Sequence, residues 1–164
     1  MDDVSLQRIA DRLAIQDLKH RYCRLAELGD ARGMTECFTE PCRVNFRPDG
    51  SLEARTKEEV FGYYSRAMAE TVASSHHVSN FEFDVDGPDT AHTTCALYSW
   101  QRFAGYPDVP DRHRWARYED TFVRTVDGWR QTELLYLVIG EYASGELRGG
   151  ELRLRPPWSC ANPS

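Results

Sequence analysis

The spacing of apolar residues changes once along the chain, near residue 74, and that change constrains the fold more than any other feature. Before it, apolar side chains recur every three or four residues. From about Ser5 to Leu28 the stripe is Leu6, Ile9, Leu13, Leu18, Tyr22 and Leu25, the period of one helix face. Gly29 is a natural stop, and Asp30 can cap a short second helix carrying Met34, Cys37 and Phe38. After Pro41, Val44 and Phe46 alternate as in a strand, closed by Pro48-Asp49-Gly50. Thr56-Lys57-Glu58-Glu59 reads as a capping box, opening a helix that places Val60, Phe61, Tyr64, Met68 and Val72 on one stripe.

From Ser74 onward the period is two. Strands are expected near 75–85, 91–103, 114–125 and 129–140, with turns at Asp86-Gly87-Pro88 and Asp127-Gly128. Helices first and antiparallel strands after is an α+β layout, with helices on one face of a curved sheet. One domain over residues 1–164 is expected, its core within about 5–140. The Gly- and Arg-rich tail 141–164, which contains Pro156-Pro157-Trp158, has no assignable element.

Charge and cysteine usage narrow the function. A formal net charge of -6 disfavours non-specific binding to nucleic acid or to anionic membranes. No apolar run is long enough to span a bilayer, and the acidic start Met1-Asp2-Asp3 is unlike a secretory signal. The five cysteines (Cys23, Cys37, Cys42, Cys95, Cys160) are scattered with no Cys-x-x-Cys spacing, as expected of free thiols in a cytoplasmic protein. No metal site is expected: His76 and His77 are strand neighbours and point to opposite faces. Nucleotide-binding and serine-hydrolase motifs are absent, so no cofactor is expected.

The residues that could carry chemistry are Glu27, at the end of the first helix, and His76, in the first long strand. A carboxylate that orients an imidazole makes a general base near neutral pH. Each also has a plain reading: His76 as a satisfied core or surface histidine, Glu27 as a solvated helix residue. Strand alternation puts His76, Val78 and Asn80 on one face and His77, Ser79, Phe81 and Phe83 on the other. Phe81 and Phe83 suggest that this second face meets helices or another subunit. Tyr98, Trp100, Arg117 and Glu119 lie on strand faces that mix aromatic and charged groups, which suits a pocket wall or a solvated sheet face.

The order of these strings resembles the SnoaL-like branch of the nuclear-transport-factor-2-like superfamily. The strings are Ile15-Gln16-Asp17-Leu18 with Tyr22, Glu27-Leu28-Gly29-Asp30, Cys42-Arg43-Val44-Asn45-Phe46, His76-His77-Val78-Ser79-Asn80, and Arg117 to Arg124 leading into Asp127-Gly128-Trp129. The resemblance implies a cone-shaped barrel of strongly curved, mostly antiparallel sheet packed on N-terminal helices. In scytalone dehydratase and hexachlorocyclohexane dehydrochlorinase a helix-end carboxylate serves a strand histidine; the corresponding positions here are Glu27 and His76. By the same correspondence Ala26, Phe46, Trp100, Arg117 and Glu119 replace the dehydratase's pocket groups, and Tyr22 and Leu134 the dehydrochlorinase's. Neither family substrate is therefore expected.

The resemblance implies a cofactor-independent lyase or isomerase that removes a proton next to a carbonyl of a small organic substrate. Tyr22, Phe46, Asn80, Tyr98, Trp100, Arg117 and Glu119 would shape the pocket, and Glu119 could be a second proton carrier. A polyketide-type cyclase making an aldol closure and a non-catalytic ligand-binding or dimerisation module are the alternatives. A homodimer is the first expectation for assembly and a trimer the second.

Overall fold

A computed structural model describes residues 3–47, 52–84, 87–103, 111–143 and 146–149. Helices α1 (Asp3–Glu27) and α2 (Ala31–Thr35) lead into β1 (Phe38–Asn45) and β2 (Glu53–Ala54). Helix α3 (Lys57–Ala69) follows, and then β3 (Thr71–Asp84), β4 (Thr90–Phe103), β5 (Arg112–Thr125), β6 (Gly128–Ala143) and β7 (Glu146–Gly149). Residues 150–164, with Pro156-Pro157-Trp158 and Cys160, lie outside the described residues, as do Pro48-Asp49-Gly50 and Asp86. No helix among the described residues is long and apolar enough to cross a membrane.

Helix boundaries follow local chemistry. Gly29, at φ 70, ends α1; its N–H donates to Ala26 O, and the Asp30 N–H donates to Leu25 O at 2.9 Å. This paired pattern satisfies carbonyls the helix end would leave open, and it makes Glu27 the last residue of α1. Asp30 then caps α2 by accepting from the Gly33 N–H at 2.7 Å. Thr56 caps α3, but the Glu59 carboxylate reaches past it to the Arg55 N–H at 2.6 Å.

The sheet runs β2-β1-β6-β5-β4-β3, with β7 on the far end of β6. Only β1–β6 is parallel among the described pairs. Bulges where Ile139 and Thr132 interrupt the β5–β6 register, and two more in β3, curve the strands without closing them into a ring. The architecture is α+β, an open, curved sheet with helices in its hollow. Its core joins Ile15, Leu18, Tyr22 and Cys23 of α1 and Val60 and Tyr64 of α3 with Val44, Cys95, Leu97, Phe122 and Leu134 of the sheet.

Three expectations are corrected by packing. Leu6, Ile9 and Leu13 are half exposed, so the apolar stripe of α1 enters the core only from Ile15 onward. The α3 stripe ends at Met68, because the chain turns extended at Thr71 and leaves Val72 in solvent. The third correction bears on the site. Ser79 pairs with Ala96 and Glu82 with Thr94, so β3 carries one residue more than β4 between those pairs. Asn80 takes φ 54 there, a conformation Asn tolerates better than most residues. Past the extra residue the alternation flips. Phe81 and Phe83 therefore join Val78 against the core, with His20 of α1 edge-on to Phe81 and Arg12 over Phe83. They meet a helix, one of the two covers expected for them, but on the same face as Val78 and not the opposite one.

Candidate active site

Strand register sorts the sheet into two faces. Across the inner face run His76, Ser99, Arg114 and Glu141 on successive strands, beside a second row of Ser74, Gln101 and Arg112. With Tyr22 and Ala26 of α1, Met34 of α2 and Tyr63, Tyr64 and Met68 of α3, these rows line a cavity of about 290 Å³. Phe46, Tyr118, Leu134 and Tyr136 complete its wall.

His76 is in the wall of this cavity, and Glu27, itself exposed and outside the lining, reaches it through the main chain and not ring to carboxylate. Glu27 Oε1 accepts from the main-chain N–H of His76 at 2.6 Å. The imidazole Nδ1 is shut off from solvent and has no hydrogen-bond partner. Burial pushes the ring below the ordinary histidine pKa; the Glu27 charge pulls it back up, and neighbouring His77 adds to the depression. The ring is thus held neutral, which leaves a nitrogen able to accept a proton.

Deeper in, Tyr22 and Tyr64 join their hydroxyls at 2.7 Å, and burial raises both pKa values far enough that neither ionises near neutrality. Phe46 stacks on Tyr63 with ring centres 3.6 Å apart. Beneath lies an ion pair that sequence reading missed: Lys19 Nζ stands 2.8 Å from Asp120 Oδ2, both side chains wholly inaccessible. Gln131 donates to the other Asp120 oxygen at 2.7 Å, and the ammonium sits 3.6 Å from the centre of the Tyr118 ring. Burial drives the Asp120 carboxyl above its usual range, with Lys19 opposing it. The available signal was position: Lys19 stands one residue past Leu18 on the face bearing Ile15 and Tyr22, and Asp120 falls between buried Tyr118 and Phe122.

Of the expected wall residues, Tyr22 and Phe46 line the cavity. The other five do not. Tyr98, Trp100, Arg117 and Glu119 occupy the alternate, outer positions of β4 and β5, and Asn80 is the bulge residue. Tyr98 bonds the His113 ring at 2.7 Å, and Trp100 donates to Asp111 at 2.9 Å. Glu119 instead borders an open outer groove of about 700 Å³ with Arg43, His92 and Glu133. The inner positions are Leu97, Ser99 and Gln101 on β4, and Arg112, Arg114 and Tyr118 on β5. Buried Ala91, Cys95 and Leu97, spaced by two and four, were the signal for that phase. No cluster of His, Cys, Asp and Glu suited to a metal ion occurs among the described residues.

The family model described as a SnoaL-like domain matches residues 7–134. The chain belongs to the SnoaL-like family. A SnoaL-like chain of this sequence is 30% identical, over 133 residues, to protein Rv2910c of Mycobacterium tuberculosis, a match spanning 77% of this chain and 84% of the relative. Among solved structures it superposes on a scytalone dehydratase-like protein from Novosphingobium aromaticivorans with a TM-score of 0.81 and 17% identity, covering 92% of this chain and 98% of that one. A hexachlorocyclohexane dehydrochlorinase, LinA-type3 from Novosphingobium barchaimii, superposes with a TM-score of 0.71 and 13% identity, covering 90% and 94%. At these identities the likeness is one of fold.

Proposed function

We propose that this protein is a cofactor-independent acid–base lyase or isomerase, with His76 as the base and Glu27 as its orienting carboxylate. The observation that carries the proposal is the Glu27 carboxylate seated 2.6 Å from the His76 main-chain nitrogen, at the wall of a cavity. A small rotation of Glu27 would give its second oxygen to the buried, partnerless Nδ1. Such a bond would fix the tautomer and leave Nε2 to take a proton from a carbon next to a carbonyl. The electron pair released would form a carbon–carbon double bond as a β-hydroxyl or halide leaves. The imidazolium would return its proton to a departing hydroxide to give water. Ser99, Gln101 and the paired tyrosines line the cavity as donors for the developing oxyanion.

The Glu27–His76 pair is tested by following the His76 ring through an NMR pH titration in wild type and in Glu27→Gln. Loss of the carboxylate charge should lower the His76 pKa by about a unit, roughly 1.4 kcal/mol of coupling. Identical titrations would remove the pair and leave a ligand-binding module as the better reading. We further propose a homodimer, using the outer-face side chains Trp115 and Tyr142 with the bulge residue Ile139, each more than a third exposed. The four buried thiols fit a reducing cytoplasm.

A further inference from the structure

Two arginines, Arg112 and Arg114, and one carboxylate, Glu70, line the cavity. Arg114 is neutralised by Glu141, to which its Nε donates. Arg112 has no direct ion pair of this kind: its guanidinium takes the neutral Gln101 oxygen at 2.5 Å and the Phe103 ring, 4.5 Å from Cζ to centroid, while Glu141, already bonded to Arg114, acts on it only from a distance. Its Nε is shut off from solvent and unbonded. A guanidinium withdrawn from water without an anion is costly, and a carboxylate matches its fork of donors. Arg47 and Arg66 also stand near enough to act on the hydroxyl of Tyr63, so positive charge gathers here in a chain whose formal charge is -6.

Resting on the reading of this cavity as the substrate site, we propose that the substrate is a small unsaturated or aromatic carboxylic acid whose carboxylate is held by Arg112. A single guanidinium without a direct ion pair has room for one carboxylate. The remaining wall, with Phe46, Tyr63, Met68, Phe103 and Tyr136, suits a flat apolar body. Adjacent strands lie about 4.8 Å apart, so the arginine strand β5 runs about 10 Å from His76 on β3. Allowing for the reach of both side chains, the carboxylate and the acidic C–H stand a few bonds apart, on opposite sides of one ring or one short conjugated chain.

The test is calorimetric titration of the whole chain with trans-cinnamate and with its neutral isostere trans-cinnamamide. A charge-assisted bond predicts that the acid binds about tenfold tighter or more, and that Arg112→Gln erases this preference. His76→Gln should keep it. The proposal is overturned if the acid does not bind, if the amide binds equally well, or if Arg112→Gln retains the preference. Should that variant not fold, the wild-type preference measured from about pH 6 to about pH 9 decides. A guanidinium holds it constant, whereas loss as an imidazolium deprotonates overturns the assignment. A preserved acid preference, with no exchange of the methyl C–H of 4-acetylbenzoate (whose ketone stands across the ring from its carboxylate) in deuterated buffer, would sink the acid–base reading alone.

Discussion

Two polar clusters share the inside of this molecule, and they behave oppositely. The lower one, Lys19 with Asp120 and Gln131, answers its own charges: cation and anion stand 2.8 Å apart with no exposure. The upper one, His76 with Arg112, has no such ion pair, and although Gln131 Oε1 below is also buried without a partner, the unpartnered Nδ1 and Nε above belong to ionisable groups in the wall of a cavity. A buried cluster whose charges cancel serves the fold, because nothing from outside is required to stabilise it. A cluster left incomplete at a cavity wall is waiting for a ligand. The same sheet supplies both, a few residues apart along β5.

The contrast breaks most easily at the lower cluster. Lys19→Met leaves a buried, unpaired Asp120 and should cost about 3–5 kcal/mol in urea unfolding, while Lys19→Met with Asp120→Leu should recover most of that loss. A cost below about 1 kcal/mol for the single change would mean that water reaches the pair and that the two clusters do not differ. At the boundary between clusters, Tyr64→Phe removes the hydroxyl bonded to Tyr22. It should cost about 1 kcal/mol by the same assay and sharpen the line between structural and ligand-facing groups.

The smallest expected effect is on pH dependence. Burial lowers the folded-state pKa of His76, so its contribution to stability is present above the unfolded value and is lost as pH falls through the folded one. The urea midpoint should therefore decline below about pH 6.5, ahead of the carboxylate range near pH 4, and His76→Gln should flatten that first decline. An unchanged slope in the variant would show that the ring is not desolvated.

Sequence alone carried the element order well, because helix caps and the period-two run are local signals. Gly29, Asp30 and Thr56 stand at helix ends as their chemistry requires. What it carried badly was phase. In β4 and β5 both faces bear polar and aromatic side chains, so Trp100 and Arg117 looked as suitable for a pocket as Ser99 and Arg114. Pairing partners, which no single strand encodes, decide which set turns inward. The bulge at Asn80 adds a second loss of phase, since one extra residue reverses every later position and no Gly or Pro announces it. Glu27 and His76 were legible as candidates, but contact through the main chain rather than the ring depends on how the end of α1 meets β3. Lys19 was passed over because a lysine on an apolar helix face finds its justification only 101 positions later, at Asp120.

The end of β6 bears on the cavity as well. Beyond Leu134, where the family match ends, the same strand still supplies Tyr136 to the wall and Glu141 to Arg114. The charge balance beside the cavity thus depends in part on the end of one strand, apart from α1 and β3, which carry Glu27 and His76. On the proposed reading, Glu141→Gln would free Arg114 for an anion without touching Glu27 or His76, so that ligand preference and proton transfer could be altered one at a time.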